Sequence, residues 1–320
     1  CGTTKSHQGS KDRDIIRIGE NESHIKMYIE KNVLEHRIDM HLRKNKSKGI
    51  AINGVPIKKS AELVGMVNII FFSPEDLNLI KNGPSERRRF LDMELCQLDR
   101  IYIDNLSRYN NVLMQRNHLL RQIKYEEGLR ETISVWDDQL IRYGKELITA
   151  RDNYIKSINH IAKDISKKLT GGKESLEVIY EPNVSIEEYS EKLKSNHEKD
   201  INYCMTHYGP HRDDMKFIVN GMDMRTYGSQ GQKRTAALSL KLSEIEIVKK
   251  TTNDIPILLL DDVLSELDRN RQNYLLECFK DVQTIITCTG LEEFINNTSF
   301  NNIYRVVNGT VEKESIRNEV

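Results

Sequence analysis

The stretch Ile255-Pro-Ile-Leu-Leu-Leu-Asp-Asp262 carries the strongest local signal in the sequence. Its apolar run is what a strand buried on both faces of a sheet requires. Two adjacent carboxylates, Asp261 and Asp262, follow at the carboxyl end, which is the edge where open α/β sheets bind ligands. Asp261 is a candidate ligand for Mg²⁺, which prefers oxygen donors, and Asp262 is a candidate to position or activate an attacking water. A strand that simply ends in a polar turn would give the same pattern.

A candidate helix start lies one helix upstream, at Ser229-Gln230-Gly231-Gln232. Ser-x-x-Gln is a capping box, which satisfies two N–H groups at a helix N-terminus. The same terminus offers unpaired N–H groups and about half a positive charge, so it can also bind a phosphate. Gly231 would let that phosphate approach the backbone closely. The strand that ends in Asp261-Asp262 resembles the Walker B strand of ABC-type ATPases. Because Ser229–Gln232 lies one helix before that strand, its position favours the signature motif of this class over a cap alone.

Asp268, at the end of Ser265-Glu-Leu-Asp268, follows the acidic pair. It is a plausible N-cap for the next helix. The same slot is the D-loop in ABC-type ATPases, which lines the interface between two heads. The tetrapeptide by itself does not decide between the two.

The flanking sequence alternates strand and helix patterns, which is typical of an α/β sheet. Three Asn-Gly pairs, at 53–54, 220–221 and 308–309, predict tight turns with positive φ at both residues. The predicted elements are strand-like runs at 24–30, 34–42 and 67–72, strand 214–219, helix 229–250, strand 255–260, helix 268–279, strand 282–287, helix 291–296 and strand 302–307.

No proline occurs between Pro84 and Pro182, which permits long helices. Apolar residues at helical spacing run from Leu91 to Leu113, pause at Arg116 and resume at Leu120. A second run extends from Ile133 to Leu169, after a polar turn at 124–130. The pattern predicts an α/β head with a mixed sheet and flanking helices, interrupted by an antiparallel helical arm. Two ordinary helices packed on a domain would fit equally well.

Composition excludes some classes of function. The formal net charge is zero, so any nucleic-acid surface must be a local patch. No apolar run approaches the ~18 residues of a membrane span. The five cysteines have no paired spacing, which is typical of reduced thiols, and we expect a cytoplasmic protein.

Four motifs together resemble the RecF family of recombination-repair ATPases, which have an ABC-type head. The resemblance runs in order from about residue 3 to 315. The motifs are Tyr208-Gly-Pro-His-Arg-Asp-Asp214, Tyr227-Gly-Ser-Gln-Gly-Gln-Lys-Arg-Thr235, Phe72-Ser-Pro-Glu-Asp-Leu77 and Gly83-Pro-Ser-Glu-Arg-Arg-Arg-Phe-Leu-Asp92.

The resemblance implies a head split into residues 1–88 and 205–320, with the arm at 89–204. Two heads would sandwich ATP and Mg²⁺, with the signature of one copy facing the phosphate loop of the other. The homodimer would clamp DNA at single-stranded gaps and junctions and, with RecO and RecR, promote RecA loading in repair and replication restart. A second interpretation is another ATPase with an SMC-like head. The short helical insertion argues against it, because SMC proteins carry a long coiled coil. A non-enzymatic DNA-binding or scaffold protein that has lost its nucleotide site is the alternative from a different class.

The sequence departs from the family pattern at the phosphate loop. No Gly-x-x-x-x-Gly-Lys-Ser/Thr occurs, and Gly171-Gly-Lys173 is followed by Glu174. We therefore expect an incomplete sequence that lacks an N-terminal strand, loop and helix, and that by itself neither binds nor hydrolyses ATP usefully. Near the family's Q-loop position stands Ser73 rather than glutamine, and Thr287-Cys-Thr289 contains no switch histidine.

Basic clusters are the candidate DNA contacts, although each can also be a solvated face. Arg87–Arg89 can instead serve the junction of head and arm. Cys204, His207 and His211 have metal-like spacing without a second cysteine pair, which argues against a zinc site. The candidate DNA-contacting residues are Arg43, Lys44, Lys46 and Lys48, at a predicted hairpin tip, and Lys58 and Lys59.

Overall fold

The computed structural model describes residues 2, 4, 11–31, 34–289 and 300–314. A short helix, α1 (Asp12–Ile15), precedes an antiparallel sheet in the order β1-β2-β3-β4. Asn53 and Gly54 form the predicted turn between β3 and β4, with φ angles of 51° and 81°. The strands are β1 (Glu22–Lys31), β2 (Leu34–Arg43), β3 (Gly49–Ile52) and β4 (Val55–Pro56).

The predicted long helices are present, but the first apolar stripe is divided. After β5 (Ile69–Phe72) and the short α2 (Asn78–Lys81), the chain forms α3 (Pro84–Leu98) and then α4 (Arg100–Ile123). Asp99 separates α3 from α4 because its backbone is extended, with φ of −138°, and its carboxylate accepts the N–H of Ile101. An apolar stripe alone does not show such a break, since the helical spacing continues across it.

The second long helix, α5 (Ile133–Leu169), packs antiparallel to α4. Hydrogen bonds join residue 102 to 151, 108 to 143 and 116 to 137, so residue numbers rise along α4 as they fall along α5. A turn at 124–126 and a 3₁₀ helix, Glu127–Thr132, join the two helices. The predicted antiparallel helical pair is therefore present.

A strand that the sequence pattern did not predict follows α5. It is β6 (Leu176–Glu181), which pairs antiparallel with β7 (Asp214–Val219). Asn220 and Gly221 turn the chain into β8 with φ of 50° and 81°, as predicted. The remaining elements here are α6 (Tyr189–Ser195), α7 (His197–Tyr203), β8 (Met222–Asp223) and α8 (Met224–Tyr227).

Residues 230–287 alternate helix and strand as predicted, with shifted ends, and a strand that was not predicted, at 310–314, follows the last predicted strand. Strand β9 starts at Ile257, two residues later than expected, because Pro256 cannot donate a hydrogen bond to a neighbouring strand. Asn308 and Gly309 form the third predicted turn, with φ of 50° and 80°. The helix predicted at 291–296 lies outside the described residues. The elements are α9 (Gln230–Thr252), β9 (Ile257–Asp261), α10 (Arg269–Cys278), β10 (Thr284–Thr287), β11 (Ile303–Val307) and β12 (Thr310–Glu314).

Helix α9 is buried on nearly all sides because it separates two apolar cores. Ala237 and Leu240 belong to the core formed with α3, α4 and α5. Leu238 and Leu242 belong to the core beneath β5, β9 and α10. The helix thus connects the α4–α5 pair to the parallel sheet. Among the described residues, no helix combines the length and the apolarity needed to cross a bilayer.

Candidate functional site

The carboxyl ends of the parallel strands β5, β9 and β10 meet at one edge of their sheet. Phe72 pairs with Leu260, and Thr287 pairs with Asp261. Ser73 comes directly after Phe72. We call Ser73, Asp261, Asp262 and Thr287 the sheet edge. Asp261 lies where the sequence placed it.

Both carboxylates of the sheet edge are oriented by hydrogen bonds. The hydroxyl of Thr287 donates to Asp261 Oδ1. Asp262 adopts a left-handed backbone with φ of 52°, and its N–H donates to the Thr287 carbonyl over 3.0 Å. The hydroxyl of Ser265 donates to the carbonyl and to the carboxylate of Asp262, at 2.9 and 3.0 Å. Asp262 is exposed, so an acidic group is held in place at the surface rather than neutralised inside.

The start of α9 has the predicted capping box. Ser229 Oγ accepts the N–H of Gln232 at 3.2 Å, and Gln232 Oε1 accepts the N–H of Ser229 at 3.1 Å. Ser229, Gln230 and Gly231 are exposed. A Cβ added at Gly231 would meet no atom within 4 Å, so the space beside it is open to a ligand. The cap is formed, and the helix mouth remains accessible to a second molecule.

Asp268 is the N-cap of α10, as predicted. Its carboxylate accepts the N–H of Arg271 at 3.1 Å and lies 3.5 Å from the Arg271 guanidinium. The Asp268 side chain is nevertheless 57% exposed, which leaves it accessible to a second head.

A small cavity joins the sheet edge to α9. Its walls combine the end of β5, the second turn of α9 and the segment after β9, and they include Phe72, Ser73, Arg234, Leu238, Val263 and Leu267. The N–H of Ser73 donates to the Asp76 carboxylate at 2.8 Å. The cavity therefore lies between α9 and the segments that follow β5 and β9.

Two of the family motifs meet far from the sheet edge, in a set of charges that sequence spacing did not reveal. Arg87 donates to both oxygens of Asp214 at 2.5 and 2.9 Å, and Arg88 donates to the Asp213 carbonyl at 2.8 Å. Arg151 on α5 pairs with Asp213 at 2.8 Å and with Asp92 at 2.7 Å. We call these six residues the junction network. Arg87 and Arg88 thus connect the start of α3 to β7 and to the residue before it, two segments that the sequence division assigns to the head, so whether they serve a junction of head and arm stays a prediction.

The junction network is largely buried, and its charges compensate one another. Arg151 is 2% exposed and Asp213 is fully buried. Asp213 also accepts hydrogen bonds from the Tyr180 hydroxyl and from the Asn183 N–H. Burial opposes ionisation of Asp214, but the hydrogen bond and charge of Arg87, with Arg88, outweigh it and hold its pKa below the ordinary value.

A second buried charge lies further along the α4–α5 pair. Arg116, the residue at which the apolar stripe paused, is fully buried and pairs with Asp137 at 2.7 Å and Asp200 at 2.8 Å. It also donates to the Thr206 hydroxyl at 2.7 Å. The pause in the stripe was the available signal, but its partners lie 21 and 84 residues away along the chain.

The histidines with metal-like spacing have separate partners. His207 Nδ1 lies 2.7 Å from Asp200, while His211 Nε2 donates to the Thr206 carbonyl at 3.0 Å. His211 Nδ1 accepts the Tyr109 hydroxyl at 2.7 Å, which is the arrangement of a neutral imidazole. Burial lowers the pKa of His211 to about 4, aided by Arg212, Arg88 and Arg116 and opposed by the Thr206 carbonyl. Gly209 is required here, since a Cβ would lie 2.4 Å from the Tyr109 hydroxyl.

Helix α9 carries an ion pair in its interior. Lys241 lies 3.0 Å from Glu244 and 4.0 Å from Glu94 of α3, and all three are buried. Burial raises the pKa of Glu94 and Glu244, and Lys241 opposes that shift. The charges of Glu244, Asp76 and Glu94 raise the pKa of Lys241 against the effect of its burial.

The basic candidates lie at one end of the β1–β4 sheet. Lys44 and Lys46 are exposed in the β2–β3 turn. Ile57 donates its N–H to the Ile50 carbonyl, which returns the chain toward the start of β3 and brings the exposed Lys58 and Lys59 to the same end. The other two candidate DNA-contacting residues already have partners within the chain. Arg43 donates to the Ser47 carbonyl, and Lys48 pairs with Asp12 at 3.2 Å.

The parallel sheet with an acidic carboxyl edge, the capped helix before it and the inserted helices define an ABC-type ATPase head. No protein-family model matches the sequence. The Smc head domain with an extended coiled coil from Pyrococcus furiosus superposes with a TM-score of 0.51 at 16% identity, over 96% of this chain and 81% of that one. That likeness supports the fold alone.

Closer relatives share sequence as well as fold. The DNA replication and repair protein RecF of Lachnoclostridium phytofermentans is 60% identical over 314 residues, which are 98% of this chain and 87% of the relative. The protein of the same name from Clostridium perfringens is 42% identical over 318 residues, with 98% and 87% covered. A solved structure of the recombination mediator protein RecF with ATP in the RecFOR pathway superposes with a TM-score of 0.88 at 35% identity, over 97% of this chain and 84% of that one. The chain belongs to the RecF family.

Proposed function

We propose that this chain acts in recombinational repair as an ATP-dependent DNA-binding clamp, through a dimer of heads. The observation that carries the proposal is the outward placement of both halves of a composite site. Asp261 lies at the carboxyl edge of a buried strand, and Ser229 lies exposed at the mouth of α9. The names of the relatives, which include a RecF–ATP structure, support the same conclusion.

The donor set of the sheet edge fits Mg²⁺ bound to a nucleotide. Asp261 would supply a carboxylate oxygen to the ion, the type of ligand that Mg²⁺ prefers. Mg²⁺ would neutralise charge on the phosphate groups when bound. Asp262 would orient water at the same edge. Ser229, Gln230, Gly231 and Gln232 of a second copy would donate to the terminal phosphate, because a helix N-terminus attracts anions.

The remaining assignments follow from family membership and are part of the proposal. Residues 1–88 and 205–320 would form the head, and residues 89–204 the arm. The clamp would bind DNA at single-stranded gaps and junctions in the cytoplasm. RecO and RecR would be its partners in loading RecA, and Asp268 would line the interface between the heads.

The competing function is a DNA-binding or scaffold protein that does not respond to nucleotide. The two functions differ in one measurable property, the dependence of DNA affinity on ATP and Mg²⁺. The exposed capping box allows a sharp test, because aspartate caps a helix as well as serine does but repels a phosphate.

The test is a DNA-binding titration of the protein made from its complete reading frame, with and without ATP and Mg²⁺. We expect ATP to tighten binding to gapped DNA, and Ser229→Asp and Asp261→Asn each to remove that gain with little change in stability. Asp281→Asn is the matched control, since Asp281 is exposed at the opposite end of the sheet, before β10. DNA binding that is indifferent to ATP in the unaltered protein would establish the scaffold function instead.

The expectation that the 320 residues alone do not turn over ATP stays a prediction. An ATPase assay of that chain tests it, and turnover that Asp261→Asn abolishes would refute it.

The basic end of the β1–β4 sheet is the proposed DNA contact. Replacing Lys44 and Lys46 together by glutamine should weaken binding to all DNA sequences alike and reduce the salt dependence by about two phosphate contacts. Lys48→Gln should have the smaller effect on DNA affinity, because Asp12 already neutralises Lys48. Equal losses from all three lysines would show that the ion pair opens on DNA.

A further inference from the structure

One group of side chains carries ligand chemistry that the proposed function does not use. It consists of Glu22 and His24 on β1 and His41 on β2, on the outer face of the β1–β4 sheet. Each offers one ligand atom, a carboxylate oxygen or a ring nitrogen. These atoms all lie within 4.8 Å of one another, the one such group in the described part of the chain.

The strand register holds this group together. His24 and His41 are directly opposite each other in the β1–β2 pair. Glu22 is two residues from His24, so the pleat directs both to the same face. The two imidazole rings stack with centroids 4.1 Å apart and planes 19° apart, and His41 Nε2 lies 2.8 Å from Glu22 Oε2.

The surroundings leave the group open to an ion. On the other side of His41, its partner in β3 is Gly49, which has no side chain to cover the imidazole. Two cations flank the group on this face: Lys26, whose ammonium lies 4.0 Å from the carboxylate of its cross-strand partner Asp39, and Arg43, the partner of Glu22. Its guanidinium donates to the Ser47 carbonyl at 2.9 Å, so the charge is directed into the β2–β3 turn.

We propose that Glu22, His24 and His41 form a binding site for a divalent transition-metal ion of the zinc class. Two imidazole nitrogens and one carboxylate are a donor set that zinc binds, whereas Mg²⁺ and Ca²⁺ select oxygen ligands. Around tetrahedral zinc the ligand atoms are about 3.4 Å apart. The three ligand atoms here lie within 4.8 Å of one another, so side-chain rotations that shorten the longest of these distances by at most ~1.4 Å complete the site. Three protein ligands leave a fourth position for water.

The site has a structural consequence for the hairpin. A metal ion there joins β1 to β2 at the end of the sheet that carries the β2–β3 turn with Lys44 and Lys46. It is separate from the sheet edge, which belongs to another sheet. Metal binding can therefore succeed or fail independently of ATP binding.

Isothermal titration of the chain with ZnCl₂, and with MgCl₂ as the hard-cation control, tests the site. We expect His24→Asn and His41→Asn each to weaken zinc binding by ~10-fold or more, since changes even to groups that only support a ligand typically cost 10–100-fold. His160→Asn, at an exposed histidine on α5, should leave zinc affinity unchanged, and MgCl₂ should not compete. Far-UV circular dichroism in EDTA should show the same fold for every variant.

Replacement of zinc by Co²⁺ identifies the ligands spectroscopically. Histidine and carboxylate ligands give visible d–d bands without the near-ultraviolet thiolate band. That distinction matters because cysteine thiols that form no disulfide, at positions 96, 204, 278 and 288, can also bind zinc. Equal zinc affinity in the unaltered protein and in the His24→Asn/His41→Asn double variant would overturn the proposal, as would a Co²⁺ spectrum that shows thiolate ligation alone.

Discussion

The junction network and the sheet edge both contain charged residues, but the charges of the network face one another inside the fold, whereas the carboxylate of Asp262 at the sheet edge faces solvent. Arg151 and Asp213 are buried and face each other. Asp262 of the sheet edge is exposed and is held in place by hydrogen bonds with Thr287 and Ser265. A charge that is compensated inside the chain stabilises the fold, whereas a charge held outward is available to a ligand. The two regions therefore differ in what a substitution should cost.

The largest expected effect comes from unpairing the junction network. Arg151→Met removes the partner of two carboxylates, one of them fully buried, and should lower the free energy of unfolding by about 3–5 kcal/mol. Lys156→Met is the control on the same helix, because its ion pair with Asp152 is exposed and should contribute under about 1 kcal/mol. Urea denaturation of both variants measures the difference. Equal costs would remove the distinction between the two regions.

Acid should lower the free energy of unfolding through protonation of His211. The unfolded chain takes up a proton at the ordinary imidazole pKa of about 6.5, whereas the folded pKa is about 4. Between these values the unfolded state binds more protons, so the free energy of unfolding falls as pH falls, by on the order of 3 kcal/mol in full.

His211→Gln should flatten this part of the stability profile, measured by urea denaturation at pH 7, 6, 5 and 4. His160→Gln on the surface of α5 should leave the slope as it is. A slope that His211→Gln does not change would show that another group takes up the proton.

The capping box should give a smaller effect on stability. Ser229→Ala removes the acceptor for the Gln232 N–H and should cost about 1 kcal/mol, while Ser229→Asp keeps a cap and should cost only a few tenths. Thermal unfolding monitored by circular dichroism compares the two. If Ser229→Asp destabilised the chain as much as Ser229→Ala, its use as a probe of phosphate binding would be lost.

The smallest effect is expected at the sheet edge itself. Asp262→Asn should change the free energy of unfolding by less than about 0.5 kcal/mol, because the residue is exposed and asparagine tolerates a left-handed backbone. The same replacement at the buried Asp213 should cost on the order of 3 kcal/mol, since Arg151 loses the fully buried one of its two carboxylate partners. Denaturation of this chemically matched pair is the most direct comparison of the two regions.

Periodicity predicted the elements, and local motifs predicted the sheet edge. The Ser229–Gln232 box and the Asn-Gly turns are local signals, and local backbone geometry and hydrogen bonds produce the structures they predict. The apolar run before Asp261 predicts a buried strand without showing that its partners are β5 and β10. Asp99 escaped prediction because its capping geometry lies within an uninterrupted apolar spacing.

The junction network could not be derived from spacing. Arg87 and Asp214 are 127 residues apart, and Arg151 and Asp213 are 62 apart. Both pairs exist only because α3, α5 and β7 converge in the tertiary structure. Likewise, β6 gains its strand partner from β7, which follows it in the chain after two intervening helices. The spacing of residue types predicts whether a residue belongs to a helix or a strand, but it does not predict which distant charged residue its side chain will contact.

Helix α5 is a long and continuous helix. Its 37 residues give a length of about 55 Å at a rise of 1.5 Å per residue. One end lies beside the α4–α5 turn. The other lies beside α10, where a second cavity is lined by Leu169 of α5 and by Asp268 and Arg271. A tilt of about 5° at the α10 end would move the far tip by roughly 5 Å, from the length that the helical rise gives. A small change of tilt beside the parallel sheet would therefore move the remote end of the hairpin by several ångströms.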